Sequence, residues 1–182
     1  MIDIRTNTVK GNFPTHFNNY MLANDDHGNI YYAKGKQVYR YSLSEQLEYP
    51  IKSSAYIVAH SITRIANEIW LGTTAGIGYI RNDSMVWVYK TSLGVDNDGI
   101  KCIAADSKGD LWFGSYFKLY RLNRQTYHLD SFPELANADN RTLALIRDKI
   151  FIGTYGNGYM VFDRDHFVRM PTGRNHELST TH

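Results

Sequence analysis

Asp106-Ser107-Lys108-Gly109-Asp110-Leu111-Trp112-Phe113-Gly114-Ser115, followed by Leu119-Tyr120-Arg121-Leu122-Asn123, is the stretch on which the fold turns. An Asp and a Gly suited to a tight turn precede three large apolar residues and a small pair, the composition of a short strand between turns. The unit recurs as Gly28-Asn29-Ile30-Tyr31-Tyr32-Ala33, as Asn67-Glu68-Ile69-Trp70-Leu71-Gly72-Thr73 and as Asp148-Lys149-Ile150-Phe151-Ile152-Gly153-Thr154. The central aromatics Tyr31, Trp70, Trp112 and Phe151 stand 39, 42 and 39 residues apart, close to the period of roughly 40 to 45 that marks four-stranded propeller blades. Each unit continues into a further apolar strand, at residues 38–41, 77–80, 119–122 and 159–162.

A second period lies over the first. Units one and three open with Asp-x-x-Gly, at Asp25 to Gly28 and Asp106 to Gly109, whereas units two and four use the tight turns Ala66-Asn67 and Arg147-Asp148. In the first kind Asp caps its own turn and Gly takes positive φ; in the second, Asn67 or Asp148 is the expected left-handed residue. Asp25 and Asp106, Tyr31 and Trp112, Asn67 and Asp148, and Trp70 and Phe151 are each separated by 81 residues, which points to duplication of a two-blade unit. The expected innermost strands are residues 20–24, 62–66, 100–105 and 143–147, and the outermost 47–51, 86–90, 126–132 and 166–170.

The rest of the composition agrees with one folded chain. Of 182 residues, 43% are hydrophobic and 14% aromatic, enough for a core. Twenty Lys and Arg against 18 Asp and Glu give a net charge of +2 without clustering, which argues against a nucleic-acid or anionic-membrane partner. No apolar run approaches the ~18 residues of a membrane span, and the N-terminus lacks the apolar centre of a secretory signal, so an exported form would be cut from a longer precursor. Cys102 is the single cysteine, leaving neither an internal disulfide nor a Cys-x-x-Cys metal site. No segment sustains helical periodicity. The expected fold is all-β: about four four-stranded antiparallel propeller blades, an arc or fragment of a larger propeller, over residues 17–51, 52–92, 93–135 and 136–171. Residues 1–16 are expected to be an N-terminal strand, across 3–9, or the remnant of a preceding blade, and 172–182 the start of a further repeat or a tail. Further blades or a second copy of the chain would complete the ring.

The string from Asp106 to Ser115, with Leu119 to Asn123 after it, resembles the two-component regulator propeller repeat, whose pattern is D-x-x-G-x-L-W-hydrophobic-G-T followed by G-L-Y-R-hydrophobic-D. Residues 69–73 and 150–154 match its W-x-G-T part and residues 158–163 its second part, while Ala33 replaces the Gly of the first repeat and Phe151 the Trp of the fourth. The resemblance implies the periplasmic sensor region of a hybrid histidine kinase of the Bacteroidetes type, in which propellers recognise oligosaccharides. No kinase, phosphoacceptor or receiver segment is present in the chain, so its part is at the sensing end.

In a propeller, the loops joining second to third strands and those joining one blade to the next gather at one end, where a polar concave site forms. A sugar presents apolar ring faces and hydroxyls, so Tyr116 and Tyr155, at equivalent loop positions beside Arg141 and Asn157, with His60 nearby, are the candidate ligand-binding residues. Asp96-Asn97-Asp98-Gly99 has alternating oxygen ligands, yet no Glu follows at the twelfth position of a calcium loop. The seven His residues form no His-x-His or His-x-x-x-His pair, and no GxSxG, Walker A or HExxH motif occurs. No catalytic residue, metal or cofactor is expected. Asn82-Asp83-Ser84 and Asn140-Arg141-Thr142 are formal glycosylation sequons. The competing readings are an enzyme like the streptogramin lyases, which would enlist His60 and Glu177, and a propeller used as a protein-interaction platform.

Overall fold

A computed structural model describes residues 2–3, 8–9, 21–90, 99–115, 118–132, 140–147, 149–155, 158–163 and 166–170. Two short N-terminal strands, β1 (Ile2–Asp3) and β2 (Thr8–Val9), pair with each other antiparallel. The single strand expected across residues 3–9 is therefore two, each satisfying its backbone on the other.

Four antiparallel sheets follow in chain order, and no helix occurs among the described residues. The first blade comprises β3 (Leu22–Asn24), β4 (Asn29–Lys34), β5 (Gln37–Ser42) and β6 (Leu47–Pro50). The second comprises β7 (Ala59–Ile65), β8 (Glu68–Thr73), β9 (Gly76–Arg81) and β10 (Ser84–Lys90). In the third are β11 (Cys102–Ala105), β12 (Leu111–Gly114), β13 (Leu119–Leu122) and β14 (Leu129–Phe132). The fourth holds β15 (Asn140–Ile146), β16 (Lys149–Thr154), β17 (Tyr159–Asp163) and β18 (His166–Arg169). Each strand pairs with its sequence neighbour, so every blade is an up-and-down meander.

Successive blades pack face to face through three hydrophobic seams, one for each neighbouring pair. Side chains alternate along the second strand, so its central aromatic points toward the following blade and the flanking apolar residues, Ile69 and Leu71 or Leu111 and Phe113, toward the preceding one. Tyr31, Trp70 and Trp112 thus fill the first, second and third seams and are 8%, 1% and 2% exposed. Phe151 takes the same place in the fourth blade but is only half-buried, against Tyr159. The array is open: the rear face of the first blade exposes Leu22 and the forward face of the fourth exposes Ile146 and Val168.

Every position of the repeat has a physical reason. Asp106 Oδ1 accepts hydrogen bonds from the Lys108 and Asp110 amides, at 2.9 and 3.0 Å, closing the turn, and its Oδ2 accepts the Trp112 indole N–H at 2.9 Å. Asp25 does the same for the His27 and Asn29 amides and the Tyr31 hydroxyl. One carboxylate therefore fixes both the turn and the wedge residue six positions on. Gly28 and Gly109 take φ of 80° and 84° in these turns, as expected of Asp-x-x-Gly. The Thr or Ser at the far end of the second strand closes the next turn: Thr73 Oγ1 donates to the Gly76 carbonyl at 2.9 Å and Thr154 Oγ1 to that of Gly158 at 2.8 Å.

Three local expectations are corrected. In the Ala66-Asn67 turn the left-handed residue is Ala66, at φ 53°, and not Asn67; in the equivalent turn Arg147 has φ 48°, while Asp148 lies outside the described residues. The first strands of blades two and four begin at Ala59 and Asn140 instead of 62 and 143, because a bulge lets each run on past it. The outer strand of blade three begins at Leu129 instead of 126, since Asn123 Oδ1 accepts the Gln125 and Thr126 amides and holds that segment as a turn.

Candidate functional site

The turns joining second to third strands and the starts of the first strands lie at one end of the sheets, called here the upper end. The register of blade two skips His60: Ala59 pairs with Thr73 and Ser61 with Gly72. The register of blade four skips Arg141 in the same way, with Asn140 opposite Thr154 and Thr142 opposite Gly153. His60 and Arg141 are 81 residues apart, so duplicated blades carry a bulge at the same place with different polar residues on it. A bulge re-aims its side chain and interrupts the ladder, which is why such irregularities concentrate beside binding sites.

The surroundings of His60 fix its state. It is half-buried at the seam between blades two and three, with Nε2 3.0 Å from Thr74 Oγ1 and Nδ1 3.2 Å from Lys101 Nζ. An ammonium only donates, so Nδ1 accepts and the ring proton is on Nε2, donated to Thr74. Burial, reinforced by the Lys101 charge, holds the imidazole pKa below its ordinary value, and the ring is neutral at pH 7. Gly99, at φ 75°, makes room for the ring: a Cβ there would lie 2.6 Å from Nε2. Because unfolded His60 takes up a proton near pH ~6.5 and the folded residue resists it, its contribution to stability is present above that pH and lost as pH falls through it. Urea unfolding of the wild type should therefore weaken more steeply between about pH 7.5 and 5.5 than that of His60→Gln; equal slopes would show that His60 is not the group responsible.

Of the other residues singled out in the sequence, Tyr155 lies in the upper turn of blade four and is 73% exposed. Tyr116, Asn157, Asp96 to Asp98 and Glu177 lie outside the described residues. His60, Arg141 and Tyr155 thus share one end of the sheets by position. Cys102, at the start of β11, is buried against the Asn140 carbonyl, and burial pushes its thiol up to about 12, so it is no nucleophile at neutral pH. No group of three or more metal-ligating side chains is found among the described residues.

Residues 94–117, which include Asp106 to Ser115 of blade three, match the family described as two component regulator propeller. The match covers 24 of the chain's 182 residues. No curated protein sequence matches the chain. Among solved structures, the extracellular domain assigned to a hybrid two component system of B. thetaiotaomicron is 19% identical, with a TM-score of 0.68 over 82% of this chain and 21% of that one. Virginiamycin B lyase from Staphylococcus aureus is 15% identical, with a TM-score of 0.69 over 85% of this chain and 55% of the lyase. The WD40 β-propeller domain of Doa1 is 13% identical, with a TM-score of 0.64 over 82% of this chain and 52% of that domain. These likenesses establish the β-propeller fold, and the chain spans only about a fifth to just over half the length of these relatives. The propeller repeat of blade three is thus one blade of an arc whose other three blades share its plan. No helix among the described residues is long and apolar enough to cross a membrane.

Proposed function

We propose that this arc is a ligand-sensing segment of a two-component regulator, outside the cytoplasm, with no catalytic step of its own and with an oligosaccharide as its ligand. The observation that carries the reading is the pair of equivalent bulges at His60 and Arg141: a duplicated scaffold holds position while the polar residue presented on it changes, as a recognition surface requires. The exposed ring of Tyr155 at the same end offers the apolar platform that a sugar face needs. The matched repeat and the fold of the B. thetaiotaomicron extracellular domain support the signalling context. Further blades, or a second copy, would cover the exposed faces of blades one and four.

The experiment is a thermal-shift survey of neutral oligosaccharides against the wild type and Tyr155→Ala. A ligand at 100 times its Kd stabilises by about 2.7 kcal/mol, which for a chain of this size raises Tm by roughly 5 to 10 °C. The wild type should show such a rise with at least one oligosaccharide and Tyr155→Ala should lose it; an unchanged rise in the variant sinks the assignment of the site. A second reading, a lyase like the S. aureus enzyme, draws on the fold and on the neutral His60. Turnover of a streptogramin, abolished by chelator or by His60→Ala, would replace sensing with that reading.

A further inference from the structure

The opposite, lower end of the sheets holds a second feature. Between blades three and four, a cleft of about 480 Å³ opens among Asp106, Lys108, Trp112, Arg121, Arg147 and Lys149. It lies within the size range of roughly 300 to 1,000 Å³ usual for ligand sites.

The duplication supplies an internal control. At the seam between blades one and two, the same end is clipped shut by two ion pairs: Arg64 forks onto Asp26, and Arg40 onto Asp83 with contacts of 2.6 and 2.7 Å. The first pair has no counterpart, since the positions 81 residues later hold Leu145 and Ser107. Arg40 becomes Arg121, while strand register makes Asp165 the counterpart of Asp83, and Asp165 lies outside the described residues. Arg121 turns back to Asp110 of its own blade, at 2.7 Å, and the seam is left open below the Trp112 ring. On the two turns that flank the cleft and the strand after the second, the replacements run toward positive charge, His27 to Lys108, Ala66 to Arg147 and Glu68 to Lys149, against the one reversal of Arg81 to Asp163. The ten lining positions carry a net charge of +2, against −1 at their ten equivalents.

The carboxylates that line the cleft each have a partner. Asp106 caps its turn and holds the Trp112 indole, and Asp163 is 2.7 Å from Lys149. Lys108 and Arg147, exposed on the two turns that flank the cleft, form no ion pair among the described residues. A cleft with a net positive lining concentrates anions, and a guanidinium beside an ammonium matches the oxygens of an oxyanion. We propose that this cleft binds a ligand bearing a carboxylate, sulfate or phosphate group, held between Lys108 and Arg147. The inference does not rest on the sensing reading, which concerns the other end of the sheets.

The test uses the full chain at low ionic strength, titrated by calorimetry with sodium glucuronate, inorganic sulfate, inorganic phosphate and, as a neutral probe, glucose. The variant is Lys108→His with Arg147→Ala, which restores the residues found at positions 27 and 66. Because Ala66 occupies the same left-handed turn at φ 53°, the double variant keeps the turn geometry, and a melting temperature matching the wild type verifies its fold. At least one anion should bind saturably below about 10 mM, at least about tenfold more weakly to the variant, and more weakly as salt is raised. The best of the three anions identifies the head group. Absence of saturable anion binding, equal affinity in the variant, or glucose binding as well as the anions would overturn the proposal.

Discussion

Trp112→Ala should lower the unfolding free energy by about 4 kcal/mol, the usual cost of removing a fully buried large aromatic. The ring stacks on Phe132 of its own blade at 5.3 Å and meets Phe162 of the next at 4.8 Å, so its loss opens a cavity across the third seam. It also leaves Asp106 Oδ2 without its indole partner. Trp112→Phe separates the two terms: it keeps most of the apolar contact and loses only the hydrogen bond, so about 1 kcal/mol is expected. Phe151→Ala, at the equivalent position on the half-buried open face, should cost about 2 kcal/mol, in keeping with its smaller burial. Equal losses for Trp112→Ala and Phe151→Ala in denaturant titrations would contradict the wedge role of the central aromatic.

Gly72→Ala is the second large effect, at about 3 kcal/mol, because the clash falls on backbone. A Cβ at Gly72 would stand 2.6 Å from the Ile100 carbonyl oxygen of the following blade and closer still to Ser61 Oγ. At Gly114 the obstruction is Asn140 Cβ and Cys102 Sγ, each at 2.8 Å. Both glycines sit two residues beyond the wedge aromatic on the same face, where the next blade's first strand comes nearest. Gly153 has the same place in blade four, yet a Cβ there meets only the Thr142 side chain of its own blade, at 2.5 Å, and a rotamer change relieves it. Gly153→Ala should therefore cost well under half as much as Gly72→Ala. A Gly153→Ala variant as unstable as Gly72→Ala would show that the small residue serves the strand itself and not the approach of the neighbouring blade.

The blades were legible because their signals are local. An aromatic at a period near 40, a capped turn and a small residue after the strand can each be read within a dozen residues, and all four sheets form around them. What the sequence hid depends on geometry between distant residues. The pairs of Arg64 with Asp26 and Arg40 with Asp83 join positions 38 and 43 residues apart, and no local pattern marks them. The bulges were hidden too, since a ladder that skips one residue leaves no compositional trace; His60 and Arg141 were picked out for their chemistry, and their equivalence in register emerged only with the strands paired. Ala66 shows the opposite error, where Asn67 had the better intrinsic preference and the required hairpin twist placed the left-handed conformation on its neighbour. The basic cleft had a usable signal: the 81-residue offset that reveals the duplication also reveals, applied to charge, where its two halves diverge.

The orientation of the central aromatics gives the array a direction. Tyr31, Trp70 and Trp112 each belong to one sheet but fill the space in front of the next, so a lesion in any of them deprives the downstream neighbour of its support while leaving the parent sheet's own ladder intact. The last of the line, Phe151, has no sheet in front of it among the described residues, and its half-buried ring marks where a further leaflet would have to lean.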